Sequence, residues 1–174
     1  MKTSVNSALD TIVQSATVEL FHSQGIALGP IPRTQSTAMK LRQAGLIGLI
    51  NFTSPSMSGS LGLALSADVL SSAPDGPKQE HAVRDWLRES TNQLMGRIKN
   101  RCLQFQVTLQ AGLPSIVNGE ALLRQSPRNE TELLYMFRAL RGEVSVSLRG
   151  RLDTKSLVYS GSVSVASEGE LILF

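Results

Sequence analysis

Apolar residues return every three or four positions along residues 6–24, where Ala8, Ile12, Ala16 and Leu20 form a stripe widened by Leu9, Val13 and Phe21. That period is the one by which an α-helix turns a single face toward a core. Asn6 or Ser7 can cap its start, and Gly25 can end it. A Pro- and Gly-containing connection, "GPIPR", follows. The pattern then changes: "AGLIGLINF" and "GSLGLALS" are short apolar runs joined by the turn-rich "TSPSMS". They predict two strands of a sheet covered on at least one face.

"SSAPDGPK" breaks the chain, and a long helix is predicted over residues 79–102. On it Leu87, Thr91, Leu94, Met95, Ile98 and Cys102 gather on one side as a core stripe. Next, "CLQFQVTLQ" alternates Leu103, Phe105, Val107 and Leu109, the pattern of a half-buried strand. "AGLPSIVNG" reads as a loop and "EALLRQS" as one or two helical turns, while "ELLYMFRAL" suits a helix as well as a buried strand. "EVSVSLRGRL", "SLVYSGSVSVA" and a short "GELILF" read as strands. No repeat or linker divides the chain, so residues 1–174 are expected to form one domain, with 153–174 as C-terminal strands or an extension. The order of elements predicts an α+β fold, a largely antiparallel sheet packed with two long helices.

Composition narrows the function classes. Aromatics make up only 5% of the 174 residues, so the core is expected to be mainly aliphatic. A net charge of +3, with scattered basic residues, lacks the dense patch of a nucleic-acid binder. Arg97, Lys99 and Arg101 have no interleaved aromatics and are expected on a solvated helix flank. The longest apolar run is too short to span a bilayer. The start of the chain lacks the apolar core of a signal peptide, and Cys102 is the one cysteine. A cytoplasmic protein without a disulfide, a membrane segment or a nucleic-acid partner is therefore expected. His22 and His81 lack ligand-type neighbours, so no metal site is expected. Cys102 falls on the core stripe and is expected to be inert packing.

The unusual positions lie on the polar side of the long helix. Asp85, Glu89, Asn92 and Gly96 fall within about 60° of one another, opposite the core stripe. Asn costs some helix propensity, and Gly costs about 1 kcal/mol relative to Ala. Gly96 has three readings: a neutral surface accident, a glycine that lets another element of the chain pack closely, or one that clears room for a partner. Glu89 and Asn92 likewise form either a solvated face or a contact face.

"ESTNQLMG", followed by Lys99, resembles the Glu-x-x-Asn-x-x-x-Gly signature of the CheX/CheC/FliY phosphatases of bacterial chemotaxis, with Glu89, Asn92 and Gly96 matching it residue for residue. "NFTSPSMSGSLGLALS" and "VTLQAGLPSIVNG" resemble the family's flanking blocks, so the likeness covers roughly residues 6–150. CheC-like members carry two such helices. The first helix here has no Glu-x-x-Asn, so the CheX-like subgroup with one site per chain fits better. Ser90 and Thr91 depart from the small or apolar residues usual between Glu and Asn, and Trp86 is bulky.

The resemblance implies a phosphatase that stimulates hydrolysis of the phosphoryl-aspartate of a CheY-like receiver domain. Asn92 would hold the attacking water, and Glu89 would pair with the receiver's lysine. Gly96 would allow close approach, with Asp85 and Lys99 bordering the contact. It also implies a homodimer and no cofactor in this chain, with Mg²⁺ in the partner receiver. A non-catalytic module that binds a receiver or dimerises through the same fold is the alternative.

Overall fold

The apolar stripe of the first segment becomes α1, Ala8–Ser23, which buries Leu9, Ile12, Val13, Ala16, Thr17, Leu20 and Phe21. Gly25 takes φ 77°, and the Ile26 N–H returns to the Phe21 carbonyl at 2.8 Å. A left-handed residue just past a helix is where Gly stops it without strain. The computed structural model describes residues 8–32, 45–73, 75–120 and 130–157. The cap expected at Asn6 or Ser7, most of the turns expected over 120–126 and the strands expected within 158–174 lie outside them.

The chain continues through β1 (Gly29–Ile31), β2 (Ile47–Thr53), β3 (Met57–Leu65), α2 (Ala67–Ser72) and α3 (Glu80–Cys102). It then forms β4 (Gln110–Ala111), β5 (Ser115–Val117), β6 (Thr131–Arg138) and β7 (Glu143–Leu152). The strands make one sheet in the order β1-β6-β7-β3-β2-β4, with β5 also on β2, and every pairing is antiparallel. The expected α+β class and antiparallel sheet are both present.

The register sets two faces. Gly48 and Ile50 of β2 align with Leu63 and Leu61 of β3, Val146 and Leu148 of β7, and Tyr135 and Leu133 of β6. This face joins α1 and α3 in the main core, which is mainly aliphatic with Phe21, Phe52, Tyr135 and Phe137 among its buried residues. Tyr135 adds a polar tie, its hydroxyl donating to Asp10 Oδ1 on α1 at 2.8 Å. Ile47 and Ala64 anchor a smaller cluster on the opposite face, with Leu49, Val117 and Leu134 against it.

Several local expectations change. "GPIPR" contains a strand, because β1 completes the edge beside β6. "ELLYMFRAL" is a strand rather than a helix, since β6 is paired on both sides by β1 and β7 and has apolar residues on both faces. α2 lies in a stretch that the pattern left unassigned.

The largest correction concerns "CLQFQVTLQ". Cys102 ends α3, Leu103–Phe105 forms a 3₁₀ turn, and only Gln110–Ala111 is strand. Gln106 adopts φ 58°, and the Val107 N–H bonds to the Cys102 carbonyl at 3.1 Å. The helix therefore ends on a left-handed Gln, where Gly or Asn is the usual signal. The apparent alternation spans two different structures.

Cys102 is buried at that last turn, and loss of solvation pushes its thiol up to about 11. The reactive thiolate is thus scarce at neutral pH. Native protein is expected to resist a thiol-alkylating reagent at pH 8 and to react promptly once unfolded in urea. Rapid labelling without denaturant would show that the end of α3 opens readily.

Candidate active site

α3 is held by its core stripe and presents its other side to solvent. Leu87, Thr91, Leu94, Met95, Ile98 and Cys102 are buried as the periodicity predicts, together with Ser90. Each fully buried large aliphatic side chain contributes ~1.5–3 kcal/mol. The stripe therefore outweighs the ~1 kcal/mol that Gly96 costs the helix. The roll of α3 is set by packing, which leaves the residues of the outer strip free to serve something else.

That strip carries Asp85, Glu89 and Asn92, all exposed, with Gly96 and Lys99 partly exposed beside them. The five predicted residues thus stand along one side of one helix. Asp85 Oδ1 accepts from Arg88 Nη1 at 2.7 Å, and Glu89 Oε1 accepts from Gln93 Nε2 at 2.9 Å. The Asp85–Arg88 pair is largely solvated, with side-chain exposures of 71% and 47%. Such a pair is worth only ~0–1 kcal/mol, so Asp85 can exchange Arg88 for a partner's cation at little cost. The Asn92 side chain makes no hydrogen bond among the described residues. Its amide still carries a donor group and an acceptor oxygen.

At Gly96 the structure bears on one of the readings left open by the sequence, that of internal packing. A Cβ added there meets nothing within 4 Å. No described element of the chain packs against it, so close internal packing does not account for the glycine. The open space accords with room kept for something outside the chain.

The departures from the family signature also find an explanation. Ser90 and Thr91 point inward rather than toward the strip. Ser90 is buried and accepts from Gln24 Nε2 at 3.1 Å, while the buried Thr91 hydroxyl donates to the Leu87 carbonyl at 2.7 Å. Trp86 packs edge-on against Phe21 of α1, ring centroids 6.2 Å apart, and so helps join the helices. Sequence reading missed Gln24 and Gly48, which contact the helix from α1's end and from β2. A glycine inside the apolar run "LIGLI" was the available signal for the second.

Arg97 and Arg101 differ from the expected solvated flank. Arg101 Nη2 lies 2.5 Å from Glu19 Oε1, its Nε donates to Ser15 Oγ at 3.1 Å, and Arg97 Nη1 lies 3.8 Å from Glu19 Oε2. Both arginines bridge to α1, and Lys99 remains the basic residue of the outer strip. Between α1 and the C-terminal half of α3 runs an open groove of about 510 Å³ whose lining includes Thr11, Ser15, Asn100 and Phe105. Neither Glu89 nor Asn92 lines it. They stand on a convex helix surface, a shape suited to a partner that brings its own cleft.

His22 and His81 are exposed near helix ends. Among the described residues, no three His, Cys, Asp or Glu side chains group to hold a metal, and no helix is long and apolar enough to cross a membrane.

The sequence model of the chemotaxis phosphatase CheX family matches residues 46–138, which include β2, the whole of α3 and β6. The chain belongs to the CheX family. Its strip residues all lie inside the matched region. The sequence finds no significant match among curated proteins.

The fold is shared with solved structures at low identity. CheX of Desulfovibrio desulfuricans superposes with a TM-score of 0.64 at 15% identity, over 80% of this chain and 97% of that one. CheX of Vibrio vulnificus gives 0.62 at 14% identity, over 84% and 98%. A third is the CheX chain of a Borrelia burgdorferi CheX–CheY complex with beryllium fluoride and magnesium. It gives 0.59 at 15% identity, over 83% and 96%. At these identities the likeness concerns the fold alone.

Proposed function

We propose that this CheX-family protein shortens the life of the phosphoryl-aspartate on a CheY-like receiver domain, using the outer strip of α3. The observation that carries the reading is the pairing of Asn92, whose amide makes no hydrogen bond among the described residues, with Gly96, where an added Cβ meets nothing within 4 Å.

Phosphoryl transfer asks mainly for positioning and charge stabilisation. An Asn amide is no base, but it can orient a water through its donor and acceptor atoms together. Laid against the receiver, Asn92 holds a water in line with phosphorus, opposite the bond to the aspartate. The water oxygen bonds to phosphorus, the bond to the aspartate oxygen breaks, and inorganic phosphate leaves. Glu89 exchanges its contact with Gln93 for the lysine beside the acyl phosphate. Asp85 and Lys99 flank the contact with opposite charges and fix its register. Mg²⁺ belongs to the receiver in this reading. The homodimer implied by the resemblance would present two such strips.

The test follows a phosphorylated CheY-like receiver from the same genome, alone and with this protein. Faster decay supports the phosphatase. Unchanged decay with a detectable complex would instead identify a binding module. Glu89→Ala is expected to weaken the complex roughly 10- to 150-fold, the worth of one charge-assisted contact. Calorimetric titration with the receiver held in a phosphoryl-like state measures it, and unchanged affinity would remove Glu89 from the contact.

A further inference from the structure

A glycine inside a strand gives up side-chain packing and usually marks a bulge or a close approach. β2 carries the apolar Ile47, Leu49, Ile50 and Phe52, yet Gly48 stands in this run, on the face that carries α3. A Cβ added at Gly48 would overlap the Thr91 hydroxyl and stand 3.1 Å from Thr91 Cβ and 3.2 Å from the Leu87 carbonyl oxygen. The backbone of β2 therefore touches α3 at the turn from Leu87 to Thr91. That turn contains Glu89 and leads directly into Asn92.

We infer that Gly48 is a positioning residue for the phosphatase reaction: its contact with Thr91 sets the height and roll of α3 on the sheet, and hence the aim of Asn92. The inference rests on the reading of Asn92 as the group that orients the water. Thr91 is 0% exposed and its hydroxyl is held by the Leu87 carbonyl at 2.7 Å. Turning the side chain away would break that bond inside a filled core, and it would leave the Leu87 oxygen where it is. A side chain at position 48 is accommodated by moving helix against strand. Gln24, through Ser90, restrains the same turn from the end of α1. Displacement at Gly48 is thus expected to tilt the turn rather than slide the whole helix evenly. Gly62 does not duplicate this role, since a Cβ added there would first meet the Ser147 hydroxyl on β7, at 2.6 Å.

The test compares wild type, Gly48→Ala, Thr91→Ala and the double variant. Decay of the phosphorylated receiver is followed at increasing protein concentration, beside thermal unfolding. Gly29→Ala, where an added Cβ meets nothing within 4 Å, is the control for a strand glycine and is expected to change neither. Gly48→Ala is expected to lower the maximal rate by roughly 100-fold, the cost of misplacing a catalytic contact by about 1 Å, with half-saturation little altered. Removing the hydroxyl in the double variant is expected to recover most of that rate.

An unchanged maximal rate in folded Gly48→Ala would overturn the proposal, as would a loss confined to half-saturation or to melting temperature. If Gly48→Ala does not fold, the double variant decides. Recovery of both folding and maximal rate supports the contact, and failure to recover the rate overturns it. A wild-type protein that leaves receiver decay unchanged would overturn the phosphatase reading and this inference together. An active wild type with a fully active Gly48→Ala would overturn this inference alone.

Discussion

Asn92→Ala is expected to reduce the stimulated dephosphorylation rate by roughly 100-fold or more, because the attacking water loses its orienting contact. Affinity for the phosphorylated receiver is expected to stay close to wild type, since Glu89, Asp85 and Lys99 remain. The experiment is clean for a structural reason. The Asn92 side chain is exposed and makes no hydrogen bond among the described residues, so its removal strips no side-chain contact of that kind from the fold. Ala is also the better helix former, by up to ~0.7 kcal/mol, so the variant should unfold no earlier than wild type. Lost activity then cannot be ascribed to lost structure. Single-turnover decay at saturating protein reads the rate, and a urea melt reads the stability. Wild-type decay in a folded Asn92→Ala would remove Asn92 from the mechanism. Gln, which carries the same amide one methylene farther out, is expected to restore little.

At Gly96 stability and binding should move in opposite directions. Gly96→Ala is expected to stabilise the protein by about 1 kcal/mol, because the site is open and Gly is the poorer helix former. Gly96→Leu should stabilise it as well, Leu being nearly as good in a helix as Ala. The larger side chain, however, fills the space reserved for the receiver. Overpacking a close contact costs ~1–3 kcal/mol, which corresponds to roughly 5- to 150-fold in affinity. A paired measurement suffices: the urea midpoint for the free protein and calorimetric affinity for the receiver. A more stable Gly96→Leu that binds poorly fits a glycine kept for a partner. A destabilised Gly96→Leu would mean that the glycine serves the chain's own packing. Unchanged binding would place the receiver elsewhere on the surface.

These outcomes bear on residues that the sequence exposed unevenly. Glu89, Asn92 and Gly96 were visible because helical spacing puts them together and because two of them are poor choices for an exposed helix. Their burial and surroundings were not visible. Ser90 and Thr91 read as departures from the family signature, yet they point inward to Gln24 and to β2. Arg97 and Arg101 read as a solvated flank, but an acidic partner from a distant helix draws them inward.

Hydrophobic period alone determined the two long helices, the core side of α3 and the α+β class, because a 3.6-residue stripe or an apolar run has few ways to become buried. Tertiary structure alone decided three things. β6 became a strand because β1 and β7 supply partners for its backbone on both sides. The stretch after Cys102 turned back because a left-handed Gln106 closes the helix, a conformation that its side chain does not announce. The seat of α3 on Gly48 depends on a contact between residues more than forty positions apart. Local sequence carries the energies of local choices. A close approach between distant segments is fixed only when the whole core packs.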